Sequence, residues 1–297
     1  MFSLPRTLLK NKDLVAKTLK MSTKPSYKTL SITVPKEYVY HVELARPDKL
    51  NAMNATMWHE IGNCFENLDS DEDCRTIVLS GQGRLFCAGL DLSDTSSLGI
   101  LMSEVDVARK AKHLLKLIEK YQDCLTAIEK CKKPVLSAVH SACVGGGINI
   151  IAAADMRYCT KDAWFQVKEV DIGLAADVGV LQRLPRIIGS DSLARELCYT
   201  ARKLPAQEAL KCGLVSELFE DKDQMLSKVI SIADEIAQKS PVAVQGTKVC
   251  MVYGRDHSVQ EGLDQMKLWN QLMLQSDDFK NAIGAQLSKE KPVFSKL

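Results

Sequence analysis

An apolar run passes directly into three consecutive glycines in the stretch Val135-Leu136-Ser137-Ala138-Val139-His140-Ser141-Ala142-Cys143-Val144-Gly145-Gly146-Gly147-Ile148. The run from Val135 to Val139 predicts a buried strand, and the glycines predict a tight turn into a helix that starts near Ile148. The same order of strand, glycine turn and helix recurs around residues 76–92. This alternation favours an α/β fold over a β-sandwich.

Hydrophobic periodicity defines the elements on either side of this stretch. Residues 28–44 predict two strands that are broken at Pro35-Lys36, and Asn54 is a candidate N-cap for the helix that follows. The residues from Glu104 to Lys130 place apolar side chains three and four positions apart, which predicts a long amphipathic helix. After about residue 222 the pattern is helical only.

The composition is that of an ordinary soluble globular protein, with 46% hydrophobic and 26% charged residues in a chain of 297. The net charge of +2 gives no reason to expect nucleic-acid binding. Because no stretch contains 18 apolar residues, we expect no membrane span.

The ten cysteines lack a Cys-x-x-Cys pair and any Cys/His spacing typical of metal sites. We interpret them as reduced thiols of an intracellular protein and expect no metal.

The two ends of the sequence resemble targeting signals. Residues 1–27 are basic and contain a single acid, which fits a mitochondrial transit peptide or, alternatively, a disordered basic arm. Met21 is a candidate second start that would remove most of this segment. The last three residues, Ser295-Lys296-Leu297, match a peroxisomal address at the end of an exposed, unstructured tail. We therefore expect a peroxisomal protein that also reaches mitochondria.

Four segments follow from these changes in pattern. They are a targeting or disordered segment of residues 1–27, a core of residues 28–222, a helical region of residues 223–288 and a tail of residues 289–297.

Two carboxylates lie among apolar residues in the stretch Val167-Lys168-Glu169-Val170-Asp171-Ile172-Gly173-Leu174-Ala175-Ala176-Asp177-Val178-Gly179. Such surroundings remove hydration, so we expect the pKa of Glu169 and of Asp177 to be raised. Two such groups beside one pocket are suited to donate and accept protons. The alternative is that either acid caps a helix or lies in a solvated loop.

The glycine turn at residues 145–147 offers backbone N–H groups at a helix N-terminus, where a negative oxygen is stabilised. It lacks the spacing of a dinucleotide fingerprint, and no Walker lysine follows. A second turn, at residues 86–91, is a candidate to point another N–H at the same oxygen. Together with the two acids, these turns indicate proton abstraction next to a carbonyl.

Several short motifs resemble the crotonase (enoyl-CoA hydratase/isomerase) superfamily over roughly residues 28–275. They are Phe86-Cys87-Ala88-Gly89-Leu90-Asp91, Gly145-Gly146-Gly147 and Gln182-Arg183-Leu184-Pro185. The resemblance implies an α/β spiral of β-β-α units that binds acyl-CoA through residues 28–222. It also implies that the helices of residues 223–288 build a homotrimer or a dimer of trimers.

Three further stretches resemble the Δ3,5-Δ2,4-dienoyl-CoA isomerases within that superfamily: residues 165–179, residues 240–245 and Ser258 after Arg255-Asp256-His257. This resemblance implies isomerisation of 3,5-dienoyl-CoA to 2,4-dienoyl-CoA in fatty-acid β-oxidation, without a metal or redox cofactor. Glu169 and Asp177 would shuttle protons between C2 and C6. Because those carbons are about 5 Å apart, two groups are favoured over one. Which acid serves which carbon stays open.

The resemblance also implies the remaining site residues. The N–H groups of Leu90 and Gly146 would form the oxyanion hole, and acyl-CoA would lie across the turn at residues 46–52. The residues implied in substrate binding are Arg46, Lys49, Leu50, Ala52, Ala88, Gly89, Asp91, Gly145 and Asn149.

Asn149 departs from the family pattern, in which the isomerases carry an aspartate and the hydratases a glutamate at this position. An amide cannot act as a base, so hydration becomes unfavoured. Two alternatives stay open beside the dienoyl isomerase. One is an enoyl-CoA isomerase that moves a single double bond and leaves Asp177 idle. The other is a catalytically silent CoA-binding subunit, which the amide at Asn149 motivates.

Overall fold

The computed structural model of the chain describes residues 26–94, Gly99 and residues 105–297. Nearly all of the predicted targeting segment, including Met21, lies outside the described residues. Within them the strands are β1 (Leu30–Lys36), β2 (Val39–Leu44), β3 (Thr76–Gly81), β4 (Val135–Val139), β5 (Ala142–Val144), β6 (Met156–Thr160), β7 (Trp164–Gln166), β8 (Leu204–Pro205) and β9 (Leu218–Phe219).

Helices follow or separate these strands. In chain order they are α1 (Ala55–Ser70), α2 (Val107–Lys130), α3 (Gly146–Ala153), α4 (Val180–Ile188), α5 (Asp191–Thr200), α6 (Ala206–Lys211), α7 (Lys222–Ala237), α8 (Pro241–Tyr253), α9 (Val259–Met273) and α10 (Asp277–Ser288). Short 3-10 helices span Pro47–Lys49 and Glu169–Ile172.

The strands form two sheets with helices packed against them, which confirms the α/β class. The larger sheet has the order β1-β2-β3-β4-β6-β9, in which β1 and β2 are antiparallel and the other pairs are parallel. The smaller sheet has the order β5-β7-β8. Because β4 continues almost directly into β5, the chain passes from one sheet to the other just before the glycine turn.

Helix α7 covers one face of the larger sheet. Val78 and Leu136 on the strands pack with Met225 and Val229 of the helix, and all four are fully buried. The opposite face packs against α1, α2 and α3 in a second and larger apolar cluster. The helical pattern predicted after about residue 222 thus begins with α7, whose apolar face packs on the sheet.

Two helix starts show how local sequence sets the elements around the site. The side chain of Asn54 accepts a hydrogen bond from the N–H of Met57 at 3.0 Å, which confirms it as the N-cap of α1. Asp106 caps α2 in the same way, so this helix begins at Val107 rather than at Glu104, which lies outside the described residues.

The glycine turn enters α3 earlier than predicted. The helix begins at Gly146, not near Ile148, because Gly145 takes the cap position with a φ of 49° that favours glycine. The N–H of Gly145 donates to the carbonyl of Gln166 at 2.9 Å. The N–H groups of Gly146 and Gly147 therefore belong to the first helical turn, where no intrahelical acceptor is available.

The predicted break between the first two strands was misplaced by about two residues. Pro35 and Lys36 belong to β1, and the chain reverses at residues 37–38, where Tyr38 has a φ of 64°. A proline is tolerated there because β1 is an edge strand whose ladder is already irregular between Thr33 and Lys36.

The helices after α7 are fixed to the core through a buried lysine. Nζ of Lys248 in α8 lies 2.7 Å from Oδ2 of Asp155 and 3.0 Å from the carbonyl of Lys133. Helix α9, by contrast, contains no buried residue. Its exposed apolar side chains include Val259, which is 82% exposed, and Leu272.

The tail after α10 has no helix or strand, but it is not free of the body. Arg75 donates to the carbonyls of Phe294 at 2.8 Å and of Ser295 at 3.1 Å, and Lys296 forms an ion pair with Asp73. The tail is therefore exposed and without helix or strand, as predicted, and the buried guanidinium of Arg75 holds its backbone at two carbonyls.

None of the helices formed by the described residues has the length and apolar composition needed to span a bilayer.

Candidate active site

The two glycine-containing turns lie against each other. Cys87 and Cys143 form an isolated parallel bridge, in which the N–H of Cys87 donates to the carbonyl of Ala142 at 3.1 Å. A Cβ built on Gly89, whose φ is 94°, would lie 3.2 Å from the carbonyl oxygen of Val144. The close approach of the two backbones therefore requires glycine at position 89.

This arrangement leaves two backbone donors without an acceptor. The carbonyl of Met53 accepts from the N–H of Asp91, and the N–H of Met53 donates to the carbonyl of Gly89. Because Met53 pairs with the residues on both sides of Leu90, the N–H of Leu90 itself points away from Met53. Within the described residues, neither the N–H of Leu90 nor that of Gly146 donates a hydrogen bond. Two unpaired N–H groups on adjoining turns are what an oxyanion hole requires.

Glu169 opens the 3-10 helix that follows β7, next to the glycine turn. Its Oε1 would lie 4.0 Å from a Cβ built on Gly145. Burial raises the pKa of Glu169, and the charge of Asp177 raises it further. Oε2 is buried and has no hydrogen-bond partner within the described residues. The raised pKa of this carboxyl makes it a stronger base when ionised, as the sequence predicted.

Asp177 lies on the loop between the 3-10 helix and α4. Burial raises the pKa of this carboxyl too, which confirms the second predicted shift. Nε2 of Gln122 on α2 donates to the main-chain carbonyl of Asp177 at 2.6 Å. At the end of the loop, Gly179 has a φ of 120°, and the guanidinium of Arg183 occupies the space a Cβ would need. The loop conformation therefore depends on glycine at position 179.

Asn149 is fully buried on α3, beneath Glu169. Its Nδ2 donates to Oε1 of Glu169 at 3.2 Å and to the carbonyl of Gly145 at 3.3 Å. Its Oδ1 accepts from the N–H of Val180 at 2.6 Å. The structure thus places this predicted substrate-binding residue behind the carboxylate, where it contacts the glycine turn and the start of α4.

The other predicted binding residues lie on two segments, residues 46–52 and residues 88–91, which contact each other. Arg46 forms an ion pair with Asp91 at 3.0 Å and also donates to the carbonyl of Ala52. The N–H of Ala88 donates to the carbonyl of Leu50 at 3.0 Å. The hydrogen bond from Ser93, followed by that from Arg46, holds the pKa of Asp91 below its usual range. Lys49 is exposed beside this contact.

A model of the enoyl-CoA hydratase/isomerase family matches residues 35–296. The chain belongs to this family. Its fold is also that of solved family members: an enoyl-CoA hydratase from Bacillus anthracis aligns with a TM-score of 0.81 at 25% identity, over 90% of this chain and 99% of that one. A putative enoyl-CoA hydratase from Streptomyces coelicolor A3(2) gives 0.82 at 26% identity, over 92% and 96%.

Curated relatives are more similar in sequence. A rat protein is 51% identical over 275 residues, which cover 92% of this chain and 84% of the relative, and is named Delta(3,5)-Delta(2,4)-dienoyl-CoA isomerase, mitochondrial. An Arabidopsis thaliana protein named as the peroxisomal form of that isomerase is 44% identical over 278 residues, or 93% and 100% of the two chains. The resemblance drawn from the motifs is therefore confirmed.

Sequence reasoning missed several residues that support this enoyl-CoA hydratase/isomerase site. Met53 and Trp58 pack against the glycine turn, and a Cβ built on Gly146 would lie 2.7 Å from Sδ of Met53. Trp58 stacks on Tyr121 of α2 with 4.6 Å between ring centroids. Gln122 is an exposed polar residue on a helix, and nothing in its sequence context distinguishes it from a solvated side chain.

We expect the Glu169→Gln variant to unfold at a higher temperature than the unmodified protein at pH 7. Because the folded state raises the pKa of Glu169, the stability of the folded state falls as pH rises through that pKa, and glutamine removes this loss. The gain should be about 2 °C or more at pH 7 and should shrink towards pH 4, as measured by thermal denaturation. The exposed Glu235→Gln variant is the control, and an equal gain at both pH values would contradict the account.

Proposed function

We propose that this chain isomerises 3,5-dienoyl-CoA to 2,4-dienoyl-CoA in fatty-acid β-oxidation. The observation that carries the proposal is that Glu169 lies beside the glycine turn and within electrostatic reach of Asp177, both with raised pKa, while the N–H groups of Leu90 and Gly146 have no acceptor among the described residues. The names of the rat and Arabidopsis relatives support the same reaction.

The reaction moves two double bonds by one carbon each and transfers one proton. One carboxylate takes the proton from C2, and the electron pair of the C2–H bond passes to the thioester oxygen, which gives a trienolate conjugated as far as C6. The N–H groups of Leu90 and Gly146 stabilise that charge. When the carbonyl re-forms, double bonds form at C2–C3 and C4–C5, and C6 takes a proton from the other carboxyl group. No electron leaves the substrate, so the reaction needs no redox cofactor, and the two N–H groups supply the charge stabilisation that a metal would otherwise provide.

Two acids suit this reaction better than one. C2 and C6 are about 5 Å apart in an extended chain, which exceeds the reach of a single carboxylate at hydrogen-bond distance. Glu169 and Asp177 lie close enough for the charge of one to raise the pKa of the other. Asn149 cannot take a proton from water or carbon at neutral pH, which disfavours hydration at this site.

The substrate is an acyl-CoA thioester, and the proposed assembly is a homotrimer or a dimer of trimers. Support for assembly comes from α9, where no residue is buried and Val259, Leu263 and Leu272 are exposed. Such an apolar helix surface is typical of a subunit interface.

The proposed location is the peroxisome, with mitochondria as a second destination. The support is the tripeptide Ser295-Lys296-Leu297 for a chain whose carboxyl end is Leu297, and the basic composition of residues 1–20. Relatives in the family carry both names, mitochondrial in the rat and peroxisomal in Arabidopsis thaliana.

Purified protein should convert 3,5-dienoyl-CoA to 2,4-dienoyl-CoA without any added cofactor. The change in ultraviolet absorbance of the conjugated thioester measures the rate, and chromatography identifies the product. Faster hydration of 2-enoyl-CoA than isomerisation of the dienoyl substrate would overturn the proposal. Absence of both reactions, together with binding of acyl-CoA, would favour a silent CoA-binding subunit.

The Asp177→Asn variant should isomerise the dienoyl substrate about 10²-fold more slowly, with little change in KM, because it keeps the shape of the side chain and removes its proton. The matched control is Asp171→Asn, which alters an exposed acid in the same segment that forms an ion pair with Lys168 and should stay within about twofold. A rate for Asp177→Asn within a few-fold of the unmodified enzyme would support a single-base isomerase instead.

Imaging an internally tagged chain tests the location. Deletion of Leu297 should abolish the peroxisomal signal, since the address is read at the last three residues. A Met21→Leu variant, which can start only at Met1, should retain a mitochondrial signal. Persistent peroxisomal signal after the deletion, or no mitochondrial signal from Met21→Leu, would contradict the corresponding address.

A further inference from the structure

Asn149 connects three parts of the site through one fully buried amide. Nδ2 donates to Glu169 and to the carbonyl of Gly145 in the glycine turn. Oδ1 accepts from the N–H of Val180, the first residue of the helix that follows the Asp177 loop. All three partners lie on different segments of the chain. The amide therefore donates through Nδ2 to two acceptors and accepts one hydrogen bond at Oδ1, which fixes its orientation.

The contact with Glu169 divides the two carboxylate oxygens into different environments. Oε1 accepts the amide hydrogen bond at 3.2 Å. Oε2 is buried with no hydrogen-bond partner among the described residues. A buried carboxylate oxygen without a partner is unfavourable, so its retention calls for a functional reason.

We propose that Asn149 is a positioning residue that holds Oε1 of Glu169 and so leaves Oε2 as the oxygen that exchanges a proton with the substrate. This inference rests on the proposed function and deepens it. A carboxylate fixed at one oxygen cannot rotate freely, which keeps the other oxygen aimed at one carbon of the acyl chain. The residue acts through Glu169 and does not itself transfer a proton.

An amide performs this role differently from an acid. It donates to ionised Glu169 without adding charge, whereas an ionised aspartate at the same place would put two like charges at hydrogen-bond distance. Other groups that face Glu169 electrostatically are Asp177 on the adjoining loop and Cys198 on α5. The pKa of the Cys198 thiol is raised, so this thiol stays neutral near pH 7. Asp177 therefore already places one acidic group near Glu169, and the amide at Asn149 does not add a second negative charge.

The test compares Asn149→Asp and Asn149→Ala in the full-length enzyme. The aspartate keeps the acceptor for Val180 and, when ionised, loses the donor to Glu169, whereas alanine loses both. In each variant the limb of the pH–rate profile that belongs to Glu169 should move to higher pH by about half a unit or more. The value of kcat should fall about tenfold while KM stays within about threefold. Asn63→Asp, at an exposed position on α1, is the matched control and should leave the profile unchanged.

A readout that does not depend on turnover separates this inference from the proposed function. Infrared titration of the Glu169 carboxyl, assigned by its loss in Glu169→Gln, should shift upward in both Asn149 variants. Asn149→Asp preserves side-chain shape, so it remains informative if Asn149→Ala fails to fold. An unshifted titration in a folded Asn149→Asp would overturn the positioning role, whether or not the protein isomerises dienoyl-CoA. A shifted titration with unchanged kcat would overturn the assignment of Oε2.

Discussion

The contact between the turn at residues 86–91 and the turn at residues 143–147 is the constraint on which the site depends. Cys87 and Cys143 pair through their backbones, and Gly89 allows the second turn to approach within van der Waals distance. Because these hydrogen bonds use the neighbouring groups, the N–H groups of Leu90 and Gly146 on adjoining turns have no acceptor within the part of the chain that the structure describes. The proposed oxyanion hole is therefore a consequence of how the two turns pack, and no side chain has to be placed to form it.

The two acids depend on that frame through different contacts. Glu169 follows a strand of the smaller sheet and is held from below by Asn149, whose amide also bonds the glycine turn. Asp177 lies on a loop that Gln122 holds by its main-chain carbonyl. Burial raises the pKa of both carboxyls, which makes each a stronger base when it is ionised. The same burial lowers the stability of the ionised folded state, as is common at catalytic sites.

Sequence alone predicted the features that depend on neighbouring residues. The raised pKa of Glu169 and of Asp177 was predicted from the apolar stretch that contains them, although Val170, Ile172 and Leu174 of that stretch are exposed. Asn54 was a recognisable helix cap. Features that depend on distant residues were not predictable: Gln122 reaches the Asp177 loop across 55 positions, and Asn149 gave no sign that its side chain would point at a carboxylate. The end of β1 was predicted wrongly, because a proline indicates the end of a strand unless that strand is known to lie at the edge of a sheet.

Isomerisation of 3,5-dienoyl-CoA in deuterium oxide tests the two-acid account most directly. The account predicts a 2,4-dienoyl product with deuterium at C6, because the proton that enters at C6 comes from a carboxyl group that exchanges with solvent. It also predicts loss of label from substrate deuterated at C2 when the reaction runs in ordinary water. Nuclear magnetic resonance locates the label in each product. Deuterium at C4 in a 2,5-dienoyl product would show that a single base moves one double bond, and would contradict the account.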